Sequence, residues 1–254
     1  MPLYLATAPD RLDQARQYTA NLAHAAYRIS ENGRLTALSL PRQLRGGWMM
    51  LSDEGTHKIP QPDGLCRDVL RECTFRGYTA VVLDFESAPT ADGVRLARLL
   101  EQQLLSQGKY LYVPESWGSF TARAAVLICT ALSGGTLRDR LEQARSRFSA
   151  RPVALDCQRL AMDFLLPAPN GEGAPLTHPQ LQQLRQGRPV YFSEDLCTRY
   201  FTYHTRQHTH FVLFDDADTI RRKLHLAEEI GITTALVMLP EVEDLLGELF
   251  QGKK

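Results

Sequence analysis

The 254-residue sequence has no charge excess of either sign: 29 basic residues cancel 29 acidic ones, and the pI is near 7. That balance removes the electrostatic basis for nucleic acid or an anionic membrane as partner, since both are held by clustered positive charge. Long apolar runs are missing too, and none approaches the ~20 residues that cross a bilayer. The N-terminal Met-Pro-Leu-Tyr-Leu-Ala reaches Asp10 and Arg11 too soon for the apolar core of a secretory signal. By default this places the chain in the cytoplasm, with export as the alternative. Cysteine is sparse: the five are scattered, their number is odd, and none forms a C-x-x-C pair. They read as small buried hydrophobes rather than disulfide partners or metal ligands. There is no internal repeat and no low-complexity tract. Nothing implies a cofactor or a metal.

What is present is an alternation of short apolar runs with helical stripes, the pattern of βα units around a parallel sheet. Strands are expected at Leu3–Thr7, Leu35–Leu40, Trp48–Ser52, Tyr78–Glu86, Tyr110–Pro114, Leu160–Leu166, Pro189–Phe192 and Thr233–Leu239. Spacings of three and four predict a helix through Leu12, Ala15, Thr19, Leu22 and Ala26. Further helices are expected over Leu65–Arg76, after Thr90 with Leu96, Leu99, Leu100 and Leu104 on one face, after Thr136, and after Asp216 or Asp218. Gly77, Gly108 and Gly231 close three of them. Ala124–Leu132 reads equally as strand or buried helix. The length suits one α/β barrel, so residues 1–254 are expected to form a single (β/α)8 (TIM) barrel, regular or somewhat reduced.

Tyr78–Glu86 is the most strand-like run, apolar and β-branched until it ends in Asp84-Phe85-Glu86. Alternation puts Asp84 and Glu86 on one side, inward at the mouth of a barrel. Two carboxylates that close do not both ionise freely, so one keeps its proton toward neutral pH, as a general acid requires. The plainer reading is a structural pair bonded to nearby loops; charged residues at this end of barrel strands favour chemistry.

These residues resemble the signature of the family 18 glycoside hydrolases, D-G-x-D-x-D-x-E at the end of the fourth strand. Gly77–Ser87 is similar to the spore-type form, in which Asp-Phe-Glu is common. Leu160-Ala161-Met162-Asp163 is similar to the family's M-x-Y-D at the sixth strand. Phe214–Gly231, with its acidic pair and Lys-Leu-His-Leu-Ala, looks like the closing helix. The resemblance implies a barrel that cleaves N-acetylated glycans, either peptidoglycan or chitin-like oligomers, with the substrate's acetamide as nucleophile. It also adds spore association to the locations considered. Glu86 is then the acid, Asp84 its partner, and Asp163 a ligand of the acetamido group. Thr79 and Val82 replace earlier aspartates of the signature, Met162 the supporting tyrosine, and Met238 the tryptophan floor of the sugar subsite. Those replacements motivate the alternative of an inactive carbohydrate-binding or scaffold barrel.

Glu115 and Trp117 follow a strand and are placed at the same mouth, with Trp117 balanced between sugar stacking and loop cover. Asp53, in Ser52-Asp53-Glu54, adds acidity to the rim or forms a solvated turn. His204, His208 and His210 have no acidic or cysteine partner nearby in sequence, so a metal site is the minor reading. Ser133-Gly134-Gly135-Thr136 opens a helix either as a phosphate cradle or, more commonly, as a capped turn. Pro167–Pro175, with Asn170-Gly171, is a loop where barrels place substrate contacts. A third reading, an enzyme acting on a phosphorylated small molecule, rests on Ser133–Thr136.

Overall fold

A computed structural model describes residues 1–56, 58–168, 171–206 and 208–250 of the chain. Eight strands run parallel: β1 (Leu3–Thr7), β2 (Leu22–Ile29), β3 (Trp48–Ser52), β4 (Ala80–Asp84), β5 (Tyr110–Pro114), β6 (Ala125–Cys129), β7 (Val153–Asp156) and β8 (Ala235–Met238). Each pairs with the next, and β8 and β2 both pair with β1, so the sheet closes into a TIM barrel. Helices α1 (Pro62–Arg76), α2 (Ala91–Ser106), α3 (Leu137–Arg147) and α4 (Ala217–Glu229) are the longer connections.

Period-2 alternation divides the strands between two cores. Ala80 and Val82 point into the barrel with Trp48, Met50, Tyr112, Ala125, Leu127, Ala154 and Leu236. Val81, Leu83 and Phe85 point outward, with Leu51, Val113, Ile128, Leu155 and Val237, into the layer beneath the helices. The barrel floor is aromatic: Trp48 stacks between Tyr4 at 3.6 Å and Tyr112 at 4.4 Å. The interior is a packed plug, as barrels of this size require.

Local signals set the helix ends. Thr90 accepts from the Gly93 N–H, Thr136 from Asp139 and Asp216 from Thr219, three side-chain N-caps at predicted positions. Gly77, Gly108 and Gly231 adopt φ of +66°, +68° and +85° where helices stop, a conformation that favours glycine.

Several expectations are corrected. The predicted helix through Leu12–Ala26 exists only as Leu12–Arg16; Leu22–Ile29 is β2, buried on both faces between β1 and β3, where a two-sided apolar run imitates a helical stripe. Ala124–Leu132 contains the strand β6. The extra strand is accommodated because Leu35–Ala37 is only an antiparallel appendage of β2, and because two later strands lie outside the barrel. Ala161–Leu166 and Tyr191–Ser193 belong to a second, antiparallel sheet with Ala174–Pro175, Thr198–His204 and Thr209–Phe214, inserted between β7 and α4. Its faces are apolar, one covered by helix His178–Arg185 and the other packed on Ala131 just beyond β6. Asn170, in the predicted Asn170-Gly171 turn, lies outside the described residues. Among the described residues no helix is long and apolar enough to cross a membrane.

Candidate active site

The inward residue that ends each strand builds the barrel mouth. Continuing from Ala80 and Val82, alternation delivers Asp84; Ala154 delivers Asp156; Ala125 and Leu127 deliver Cys129; Leu236 delivers Met238. Together with Glu86, Glu115, Gln158 and Glu241 they line a cavity of about 440 Å³ at the C-terminal ends of the strands, a volume within the usual range of small-ligand sites.

Asp84 is half-buried, and its carboxyl is pushed up to about 6, chiefly by burial and then by the charges of Glu86, Asp53 and Glu54. Asp156 is also pushed up to about 6 by burial, helped by Glu241 and Asp84, although its carboxylate accepts from Gln158 Nε2 at 2.8 Å. Glu241 is raised by burial, against the pull of the Arg159 N–H that it accepts at 3.0 Å. Glu86 is exposed on the rim, and Asp53 fixes its backbone. The Asp53 carboxylate, buried beneath that turn, accepts from the Glu86 N–H at 3.0 Å, the Ser87 N–H at 3.2 Å and the Ser87 hydroxyl. Asp53 is therefore a pin for the Glu86 loop rather than a rim ligand or a solvated turn.

The structure brings Asp84, Glu86, Glu115 and Met238 into one cleft. Glu115 arrives already paired, its carboxylate taking the Arg140 guanidinium at 3.0 Å with Arg147 at 3.6 Å. Trp117 lies elsewhere: it is 1% exposed, its ring meets Phe85 edge-on at 5.2 Å, and Nε1 donates to the Ser87 carbonyl at 3.2 Å. It is core, so it offers no face to a sugar. Asp163 and Met162 sit on the inserted sheet instead of the sixth barrel strand. Asp163 accepts from Tyr203 OH at 2.6 Å and faces His210 Nδ1 at 3.1 Å, and neither Asp163 nor Met162 lines the cavity. The end of the actual sixth strand presents Cys129.

Asp156, Gln158 and Glu241 escaped the sequence reading. The available signal was Val153-Ala-Leu-Asp156, which repeats the Val81-Val-Leu-Asp84 pattern in a run of four. The phosphate cradle is already filled by the protein: the Leu137 N–H donates to the Asp195 carbonyl at 2.7 Å, and the Asp139 and Arg140 N–H groups to Thr136. His204 bonds to Thr209 at 3.1 Å, and among the described residues no group of three or more His, Cys, Asp and Glu is arranged to hold a metal. Two larger depressions, about 640 and 530 Å³, flank α4 and the inserted sheet. Among their arginines Arg138 pairs with Glu229, Arg199 with Asp216, Arg159 with Asp244 and Arg222 with Asp218, while Arg221 donates to the Glu248 carbonyl and Arg185 lies over the Phe214 ring.

The chain is similar in structure to solved glycoside hydrolases across nearly its whole length. It resembles the Bacillus megaterium spore cortex-lytic enzyme SleL at 16% identity and TM-score 0.62, covering 98% of this chain and 73% of that one. It resembles a Chromobacterium violaceum chitinase at 14% identity and TM-score 0.64, covering 99% of both chains. A Cycas revoluta GH18 chitinase mutant, solved with (GlcNAc)4, matches at 12% identity and TM-score 0.63 over 98% of both chains. These likenesses establish a shared barrel fold. No protein-family model matches the sequence, and no curated protein matches it.

Proposed function

We propose that this chain is a divergent GH18-like glycoside hydrolase acting on N-acetylated glycans. One observation supports the reading above others: a buried strand delivers Asp84, and the turn after it Glu86, to a concave cleft at the C-terminal mouth of a barrel shared with chitinases. In this reading Glu86, held by the Asp53 pin, donates its proton to the glycosidic oxygen. The glycosidic C1–O bond breaks as the substrate's acetamide oxygen bonds to the anomeric carbon, and Asp84 orients the acetamide by a hydrogen bond. Water then opens the cyclic intermediate, giving a proton back to Glu86. Asp163 is left out, because it lies on the inserted sheet.

The lining also bears on the choice of glycan. Five carboxylates, from Asp84, Glu86, Glu115, Asp156 and Glu241, face the cavity, and no Lys, Arg or His is among its described lining residues. Only Glu115 is neutralised, by Arg140 and Arg147 behind it, so a sugar carrying a carboxylate would meet repulsion from the others with no basic group in the described lining to receive it. Neutral chitin-like oligomers therefore fit better than muramic-acid-rich strands.

The decisive experiment incubates the protein with N-acetylglucosamine oligomers at mildly acidic pH and follows products by mass spectrometry. Shortened oligomers are expected from the parent and none from Glu86→Gln. Equal cleavage by Glu86→Gln would reject the assigned acid. A non-catalytic glycan-binding barrel is the second reading, and one observation favours it: Glu86, the assigned acid, lies exposed on the rim, whereas burial raises the carboxyl of Asp84. Binding without turnover by the parent would select it.

A further inference from the structure

Below the cleft wall lies a buried ion pair that the proposed reaction does not use. The Lys223 side chain on α4 is 1% exposed and that of Asp215 0%. Lys223 Nζ donates to Asp215 Oδ2 at 2.7 Å and to the Thr130 carbonyl at 3.2 Å. Asp215 also accepts from Thr198 Oγ1 at 3.0 Å, Thr219 Oγ1 at 2.9 Å and the Leu160 N–H at 3.0 Å. The donors come from separate parts of the chain: Leu160 from the segment leaving β7, Thr198 from the inserted sheet, and Thr219 and Lys223 from α4.

Thr130 connects this network to the cleft. It follows Cys129, which lines the cavity, and its N–H donates to the Asp156 carbonyl at 3.1 Å. Its hydroxyl is the one buried side-chain polar atom without a partner among the described residues, so its backbone alone ties it to Lys223 and Asp156. An apolar pair of similar volume often gives equal or greater stability than two buried charges. What charges add is direction, because each donor and acceptor must be met at a fixed angle.

We propose that Lys223 and Asp215 are a positioning pair that sets the depth of Cys129 and Asp156 in the cleft wall and holds the inserted sheet beside the barrel mouth. The pair neither lines the cavity nor touches a ligand there; it acts through the peptide of Thr130. The proposal depends on the cleft but not on its being a glycosidase.

The test compares the parent with Lys223→Met/Asp215→Leu, which removes both charges together. Asp156 is titrated by carboxyl carbon NMR, assigned by difference from Asp156→Asn, and folding is followed by urea denaturation. Asp84 and Glu241, the charges that act on Asp156, are unchanged in every variant. The double variant is expected to fold, while the Asp156 midpoint falls from about 6 by about half a pH unit or more as the wall loosens and water reaches the carboxyl. A folded double variant with unchanged Asp156 titration would overturn the proposal and leave the pair a stabilising contact. Should the double variant fail to fold, Thr198→Val decides: it removes one donor from Asp215 but keeps both charges. A fall in the Asp156 midpoint supports the positioning role, and no change rejects it.

Discussion

Trp117 separates a sugar platform from a piece of core, and the two lead to opposite results on substitution. Its ring is 1% exposed, lies edge-on to Phe85 at 5.2 Å, and leaves no room at Gly93, where a Cβ would fall 2.5 Å from Trp117 Cη2. Replacing a buried tryptophan by alanine removes its transfer free energy and leaves a cavity, together about 3–5 kcal/mol. Unfolding entropy is about 2.1 cal/mol/K per residue, or about 0.5 kcal/mol/K for 254 residues. Trp117→Ala should therefore lower Tm by roughly 6–9 °C, with Trp117→Phe losing less because it keeps the ring contact with Phe85. Calorimetry gives the stability change, and titration with N-acetylglucosamine oligomers gives the binding change. An unchanged Tm accompanied by lost glycan binding would refute the core assignment, because only a surface ring behaves that way.

Other predictions follow from the same geometry. Asp84 is pushed up to about 6 in the fold, above the unfolded carboxyl value, so the stability linked to its neutral form is complete below about pH 4 and is lost as pH rises through about 6. Asp84→Asn should then stabilise the protein by up to about 3 kcal/mol at pH 8 and hardly at pH 4, measured by urea midpoints at both values. Gly93→Ala, which inside an exposed helix would gain up to ~1 kcal/mol, should destabilise instead because the new methyl meets Trp117, and Trp117→Phe should relieve part of the loss. Asp53→Ala removes the acceptor for three donors of Glu86 and Ser87; a stability loss of about 1–3 kcal/mol is expected, with any glycan turnover falling further than binding. A full kcat with raised KM in that variant would argue against Asp53 as the pin of the Glu86 loop.

Much of the barrel was legible because its signals are local. Runs such as Val81–Leu83 are apolar on both faces, threonine and aspartate caps mark helix starts, and glycines with positive φ mark their ends. The errors have two causes: a strand apolar on both faces imitates a helical stripe, as Leu22–Ile29 does, and a run's character does not say which sheet it joins. Leu22–Ile29 and Ala161–Leu166 are both apolar strands by composition, yet the first closes the barrel and the second pairs antiparallel in the insertion. Counting Ala161–Leu166 as a barrel strand moved the sixth position from Cys129 to Asp163 and hid β7, whose four residues gave too short a pattern to stand out.

That misplacement affects the chemistry as well as the topology. If Asp163 were the third acid of the cleft, all acidity would cluster around β4 and its next-but-one neighbour β6. With Asp156 in that position, the carboxyls come from β4 and β7, three strands apart, joined by Glu241 beyond β8. A ligand in the cavity is then met by raised carboxyls from two walls, each able to donate a hydrogen bond while neutral and to accept one after it ionises near pH 6. Binding of a neutral, hydroxyl-rich molecule should survive that change, whereas an anionic ligand should lose affinity steeply as pH rises through it, because two new negative charges appear with no basic residue among the described lining to offset them.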